Sequence, residues 1–171
     1  MAASKKLSGA TLKRRLAAVR LLSVDVDGVL TDGGLYFDEA GRQLRKFNVK
    51  DGLGLKRAMQ AGIEVALVTA ANAQAIRHRA NDLGIRHLVM GSEDKIGAIR
   101  KLGRELGIDL AAAAHIGDDA NDLPVFATVG LAVTVADAST EAKARAHLII
   151  PVNGGNGAVR ALCDLLVAAK S

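Results

Sequence analysis

Short apolar runs alternate with amphipathic stretches along most of this chain. The first run, Leu21-Leu-Ser-Val, passes into Asp25-Val-Asp27 and reads as a buried strand ending in a carboxylate. Ile63-Glu-Val-Ala-Leu-Val-Thr69, His87-Leu-Val-Met90, Ala113-Ala-His-Ile116, Gly130-Leu-Ala-Val and Leu148-Ile-Ile repeat the theme. Helical periodicity fills the gaps, over 52–61, 72–83, 93–106, 119–127, 138–146 and 157–169, with Gly84 and Gly107 as stops. Strands alternating with helices predict an α/β fold: a Rossmann-like parallel sheet with helices on both faces.

Two segments break the rhythm. Residues 33–48 hold Gly34-Leu-Tyr-Phe and Gln43-Leu-Arg-Lys-Phe on either side of Asp38-Glu-Ala-Gly41, the pattern of a small β-hairpin inserted after the first strand. At the start, residues 1–9 read as disordered and 10–19 as a short amphipathic helix with Leu12, Leu16 and Val19 on one stripe. The expected organisation is a basic N-terminal segment over 1–19 and a single domain over 20–171.

Composition narrows this picture. Half of the 171 residues are hydrophobic but only 2% are aromatic, so the core must be built from Ala, Val, Leu and Ile. That suits buried parallel strands and argues against stacking platforms for single-stranded nucleic acid. The net charge is +5, with much of the excess at Lys5, Lys6, Lys13, Arg14, Arg15 and Arg20. Such a balance draws small anions as readily as nucleic acid, and a solvated helix face explains it without either. No nucleic-acid partner is expected. No run reaches the length of a membrane span, no signal peptide is evident, and the lone Cys163 sits in an apolar stretch as a core thiol. A cytoplasmic protein without a membrane partner is expected.

Ligands of open parallel sheets bind beyond the carboxyl ends of the strands. There the chain carries Asp25-Val-Asp27-Gly28 after the first strand, Thr69 after the second, Lys95 opening the helix after the third, and Gly117-Asp118-Asp119-Ala-Asn121-Asp122 after the fourth. Asp25 and Asp27, two apart on extended chain, lean to one side and repel unless a cation or proton lies between them. Magnesium, a hard ion that bridges carboxylates to phosphate oxygens, is the expected cation, with Asp118 completing its site. Asp25 then serves as nucleophile and Asp27 as acid and base. Gly28 lets the backbone approach a phosphate, Thr69 donates its hydroxyl, and Lys95 offsets charge. Singly, each has a plainer explanation: Asp and Gly make turns, Thr caps helices, Lys is solvated. Their order, each after its own strand, is what points to phosphoryl chemistry.

Asp25-Val-Asp-Gly-Val-Leu-Thr-Asp32 resembles the first motif of the haloacid dehalogenase superfamily, and Thr69, Lys95 and Gly117-Asp-Asp-Ala-Asn-Asp122 resemble the other three. More narrowly, the hairpin, Phe47-Asn-Val-Lys-Asp-Gly52 and Gly154-Gly-Asn-Gly-Ala-Val-Arg160 are similar to the 3-deoxy-D-manno-octulosonate 8-phosphate phosphatases. The resemblance covers about residues 20–168. It implies a phosphatase for a small phosphorylated sugar acid, acting through an aspartyl-phosphate in lipopolysaccharide biosynthesis. It also implies magnesium held by Asp25, the carbonyl of Asp27 and Asp118; a capless homotetramer built on the hairpins; and a mobile glycine-containing tail.

The expected substrate contacts are Gly28, Lys50, Asp51, Ala70 and Arg160. Asp51 reads equally as the cap of helix 52–61, and Arg160 also reads as a solvated helix arginine. The four histidines, His78, His87, His115 and His147, show no ligand spacing and read as structural or surface residues. The pattern departs from the family at Ala70-Ala71, where Gly-Arg is usual, at Asn156, where Arg is usual, and at Ala161, where Glu is usual. The arginine losses weaken carboxylate recognition and bear on the substrate, not the reaction. A nonulosonate 9-phosphate is the neighbouring alternative. A tetrameric interaction partner of a sugar nucleotidyltransferase is the alternative of another class.

Overall fold

A computed structural model of the protein describes residues 7–170. Lys5 and Lys6 of the basic segment lie outside the described residues. Order begins earlier than the sequence suggests, because Ser8 caps helix α1 (Gly9–Ala18), its Oγ accepting from the Thr11 amide at 3.3 Å. Arg15 is not a free basic group: it donates to the Gly130 carbonyl at 2.6 Å and lies against His147.

Strand β1 (Leu21–Val24) is wholly buried. The hairpin follows as β2 (Tyr36–Phe37) and β3 (Gln43–Leu44), shorter than expected. Its turn is organised by Asp38, whose carboxylate accepts from the amides of Ala40 and Arg42 and from Arg42 Nε. Next come α2 (Val49–Gln60), β4 (Glu64–Val68), α3 (Gln74–Leu83), β5 (His87–Val89) and α4 (Lys95–Leu106). After β6 (Ala113–Ile116), the helix expected over 119–127 is divided into a 3-10 turn (Ala120–Asp122) and a single α-helical turn, α5 (Leu123–Phe126). Asp119 and Asp122 cap the 3-10 turn reciprocally, and Pro124 in the first turn of α5 supplies no amide to continue the preceding ladder. The chain ends with β7 (Leu131–Thr134), α6 (Thr140–Arg145), β8 (Leu148–Ile149) and α7 (Ala158–Lys170).

The main sheet has the order β5-β4-β1-β6-β7-β8, and every pairing in it is parallel. One helical layer joins α1, α7, α2 and α3; the other joins α4, α5 and α6. The expected parallel sheet with helices on both faces is therefore present. The order reverses at β1, between β4 and β6, which opens a crevice at the carboxyl ends of these three strands. Asp25, Thr69 and Gly117 continue the ladder one residue past β1, β4 and β6, through amides bonded to Ile116, Val89 and Val133 carbonyls. The residues that follow the strands are thus fixed by sheet hydrogen bonds.

Helix α2 begins three residues before the expected start. Asn48, not Asp51, is its cap, with Oδ1 accepting from the Lys50 amide at 2.9 Å. Asp51 is buried, and its carboxylate turns to the neighbouring helix: it accepts from the amides of Gly157 at 3.3 Å and Arg160 at 2.8 Å. It caps α7 from a distance of more than a hundred residues in sequence. Asp51→Ala removes that cap and leaves two part-buried amides without their partner, so it is expected to lower stability by roughly 1–3 kcal/mol. Urea unfolding of the two proteins measures the difference.

Candidate active site

The crevice at the switch point is a cleft of about 570 Å³ whose walls carry Asp25, Asp27, Gly28, Thr69, Ala70 and Asp118. Parallel pairing of β1 with β4 and β6 brings the segments that follow these three strands together, as the strand ends required. A larger cleft of about 690 Å³, lined by Gly103, Arg104 and Leu110 among others, lies at the opposite edge, ahead of β6, and holds none of these groups.

Lys95 occupies the floor. Its side chain is 1% exposed, and Nζ donates at 2.6 Å to Asp25 Oδ2 and at 2.6 Å to Asp122 Oδ1. Burial works against its charge, but the two carboxylates outweigh it and hold its pKa above the ordinary value, so Lys95 stays an ammonium. Asp25 Oδ1 accepts from the Val26 amide at 2.7 Å. Burial and then the Asp122 charge push the Asp25 carboxyl up, against the pull of Lys95. Thr69 is buried at the end of β4, its Oγ1 accepting from the Ala71 amide at 3.1 Å.

Asp122, quoted in the sequence only as part of a motif, has its oxygens fully engaged. Oδ1 meets Lys95 and His115 Nε2, the latter at 2.9 Å; Oδ2 accepts from the amides of Asp118 at 3.0 Å and Asp119 at 3.3 Å. Burial alone would raise its pKa, but the His115 contact and Lys95 hold it well below the usual carboxylate range. His115 is buried, with Nδ1 on Ser23 Oγ at 3.0 Å and its ring edge-on to Phe126. The sequence carried a signal for this pair: Ser23 and His115 are polar residues in two apolar strands, and they sit directly opposite in register.

Asp25, Asp118 and Asp122 each place a carboxylate oxygen within 4.8 Å of the others. Three carboxylates face one ammonium, and the remaining two negative charges match one divalent cation. The all-oxygen donor set is that of a hard ion and fits magnesium. Asp122 has spent its lone pairs on protein donors, so Asp25 and Asp118 are the carboxylates free to bind. Gly28 is essential to this arrangement: its φ is +80°, and a Cβ there would collide with the Asp118 carboxylate.

Asp27 lies at the mouth of the cleft with its carboxylate held by Arg45, Nε to Oδ1 at 2.9 Å and Nη2 to Oδ2 at 3.0 Å. Other expected contacts lie elsewhere. Lys50 is exposed and is not among the residues lining the cleft. Asp51 is buried against α7, which it caps, a correction to its reading as the cap of its own helix. Arg160 pairs with Asp164 at 2.7 Å and is likewise absent from the cleft lining, because its helix packs on α2. The Gly154-Gly155 segment lies behind the nucleophile loop rather than over the cleft: Gly155 N donates to the Val29 carbonyl at 2.9 Å, and a Cβ on Gly154 would strike the Gly28 carbonyl.

A model of the haloacid dehalogenase-like hydrolases matches residues 87–162. The 3-deoxy-D-manno-octulosonate 8-phosphate phosphatase KdsC of Yersinia pestis is 44% identical over 157 residues, 92% of this chain and 84% of that protein. The crystal structure of the Yersinia pestis enzyme superposes with a TM-score of 0.91 at 43% identity, covering 94% of this chain and 86% of that one. The Moraxella catarrhalis enzyme, solved in complex with magnesium ion, phosphate ion and KDO, gives 0.93 at 35% identity, covering 95% and 93%. The fold and site thus define a haloacid dehalogenase-like hydrolase. Within that class, the chain belongs to the 3-deoxy-D-manno-octulosonate 8-phosphate phosphatase family.

Burial, then the charges of Asp25, Asp122 and Asp119, raise the Asp118 carboxyl from 3.8 to about 7. The folded protein therefore binds a proton that the unfolded chain releases near 3.8, and metal-free stability falls as pH rises between these values. Magnesium competes with that proton. Thermal unfolding is expected to show a larger magnesium-induced rise in Tm at pH 8 than at pH 6, and an equal rise at both would contradict the assignment of Asp118.

Proposed function

We propose that this chain is a magnesium-dependent phosphatase that hydrolyses 3-deoxy-D-manno-octulosonate 8-phosphate through a phosphorylated Asp25. The observation that carries the reading is the convergence of Asp25, Asp27, Thr69 and Asp118 on one cleft above a buried Lys95. The substrate rests on the 44% identity with phosphatases named for it.

Asp25 is the nucleophile. Val26 N–H and Lys95 fix its two oxygens, so its orientation toward a phosphate needs no rearrangement. An Asp25 oxygen forms a bond to phosphorus while the bond from phosphorus to the sugar oxygen breaks. Asp27 gives its proton to that leaving oxygen. Asp27 then takes a proton from water, whose oxygen attacks phosphorus and releases phosphate and free Asp25. Thr69 and the amides beyond Asp25 hold the phosphoryl oxygens, and Lys95 balances their charge. Magnesium, held by Asp25, the Asp27 carbonyl and Asp118, neutralises charge between the carboxylate and the phosphate when bound.

Ala70 and Ala71 leave the cleft wall without a guanidinium. A nonulosonate 9-phosphate is therefore the comparison substrate. Phosphate release with magnesium is expected to favour the octulosonate; a reversed preference would move the specificity while keeping the chemistry. Asp25→Asn is expected to abolish release, by about a thousandfold or more given what nucleophile removal costs, with an unchanged fold by circular dichroism. Activity near wild type in that variant would refute the nucleophile assignment.

A homotetramer completes the proposal, together with a cytoplasmic role in lipopolysaccharide biosynthesis. The hairpin and the start of α2 expose Leu35, Phe37, Leu44, Val49 and Leu53, from 51% to 80% each, apolar side chains that neighbouring subunits would cover. No helix among the described residues is long and apolar enough to cross a membrane, and Cys163 is buried, its thiol pushed up to about 12 by burial, then by the Asp51 and Asp164 charges. Phe37→Lys combined with Leu44→Lys is expected to reduce the assembly to smaller species, read by light scattering after size-exclusion chromatography.

A further inference from the structure

The hairpin reaches the reacting groups through one side chain. Its strands, β2 and β3, are exposed along their whole length, and its turn is held by its own Asp38. Tyr36 and Lys46 tie it to Asp32 at the rim. Arg45, the residue after β3, behaves differently: its side chain is only 7% exposed although it stands on an otherwise solvated element. All three of its guanidinium nitrogens are engaged, Nε and Nη2 on the two oxygens of Asp27 and Nη1 on Gln43 Oε1 at 3.1 Å.

We propose that Arg45 is a positioning residue for the proton transfers of Asp27, and that the inserted hairpin thereby sets how well the enzyme expels a poor leaving group. The inference rests on the phosphatase reading above. Asp27 has little else to orient it. Its carboxylate is 43% exposed, and its one other side-chain contact is the Thr31 hydroxyl at 3.5 Å, the limit of a hydrogen bond. Thr31 Oγ1 accepts from the amides of Gly28 and Gly33, which anchor it there and leave its proton only this long contact to Asp27. An exposed aspartate without the fork samples several rotamers, whereas two parallel hydrogen bonds from a planar guanidinium fix both its direction and its plane. A sugar alkoxide needs its proton at the moment the bond to phosphorus breaks, so a wandering Asp27 costs rate there. A nitrophenolate leaves without help. Lys at this position would keep the charge and lose the fork.

The test uses the full-length enzyme with magnesium and two substrates: the octulosonate 8-phosphate, an alkyl phosphate, and p-nitrophenyl phosphate. The readout is kcat/KM, which ends at leaving-group departure and excludes the later hydrolysis of the aspartyl-phosphate. Arg45→Ala is expected to lower kcat/KM for the sugar phosphate by about tenfold or more, a part of the roughly hundredfold to ten-thousandfold that general acid catalysis supplies, and that for the aryl phosphate by far less. Arg45→Lys should recover part of the loss. Asp27→Asn, measured alongside, should show the same split on a larger scale. Equal losses on both substrates, or no loss on either, would overturn the role of Arg45. If Asp27→Asn gives the split and Arg45→Ala does not, the phosphatase reading stands and only this inference fails. If the wild-type enzyme turns over neither substrate, both fail together.

Discussion

The interaction on which the rest of the site depends is the buried contact of Lys95 with two aspartates. An ammonium taken from water at the floor of a protein loses several kcal/mol of hydration, and good geometry to a counter-charge is what returns it. Lys95 has that geometry twice, at 2.6 Å to Asp25 and to Asp122. The three residues come from three places: the end of β1, the first turn of α4 and the turn after β6. One cation thereby holds the nucleophile, a helix and the acidic loop in fixed relation. Removing it leaves two carboxylates facing each other in a dry pocket, which is why the position tolerates no neutral substitute without cost to folding and chemistry together.

From this contact the charge balance of the cleft follows. Asp122 is held from below by Lys95 and the His115 ring, and from above by the amides of Asp118 and Asp119. It shapes the loop and has no lone pair left to offer. Asp118 has neither advantage: it is partly buried, surrounded by like charges and raised to about 7. That is an unstable place for an anion in the absence of a divalent cation and a suitable one in its presence. Among the described residues no buried side-chain polar atom lacks a hydrogen-bond partner. The site is thus strained electrostatically at Asp118 and, against the pull of Lys95, at Asp25, while its buried hydrogen-bonding groups are satisfied.

The strands and their order of chemistry are legible in the sequence because each depends on local pattern. Buried parallel strands need continuous apolar runs, and a doubly wound sheet brings their carboxyl ends to one edge. Asp25, Asp27, Thr69, Lys95 and Asp118 can therefore be grouped from their positions along the chain alone. What is not legible depends on partners far away in sequence. Asp51 near the start of a helix looks like that helix's cap; its actual partners are the amides at the start of α7. Arg45 lies in a stretch that also offers Arg42 and Lys46, and nothing local separates the buried one from the solvated two. Ser23 and His115 do leave a trace, as polar residues in apolar strands, but only the register of β1 on β6 shows that they face each other. The packing of the glycine-containing tail behind the nucleophile loop likewise rests on a contact distant in sequence, Gly155 to Val29.

In the proposed reaction the phosphoryl group passes through Asp25. The direct measurement is an acid quench of the magnesium-loaded enzyme within its first turnover of the octulosonate 8-phosphate, followed by digestion and mass spectrometry. A phosphoryl group is expected on the peptide that carries Asp25, acid-stable long enough to be detected and lost on treatment with hydroxylamine. Rapid phosphate release with no label on that peptide at any quench time would contradict it and point to direct attack by water.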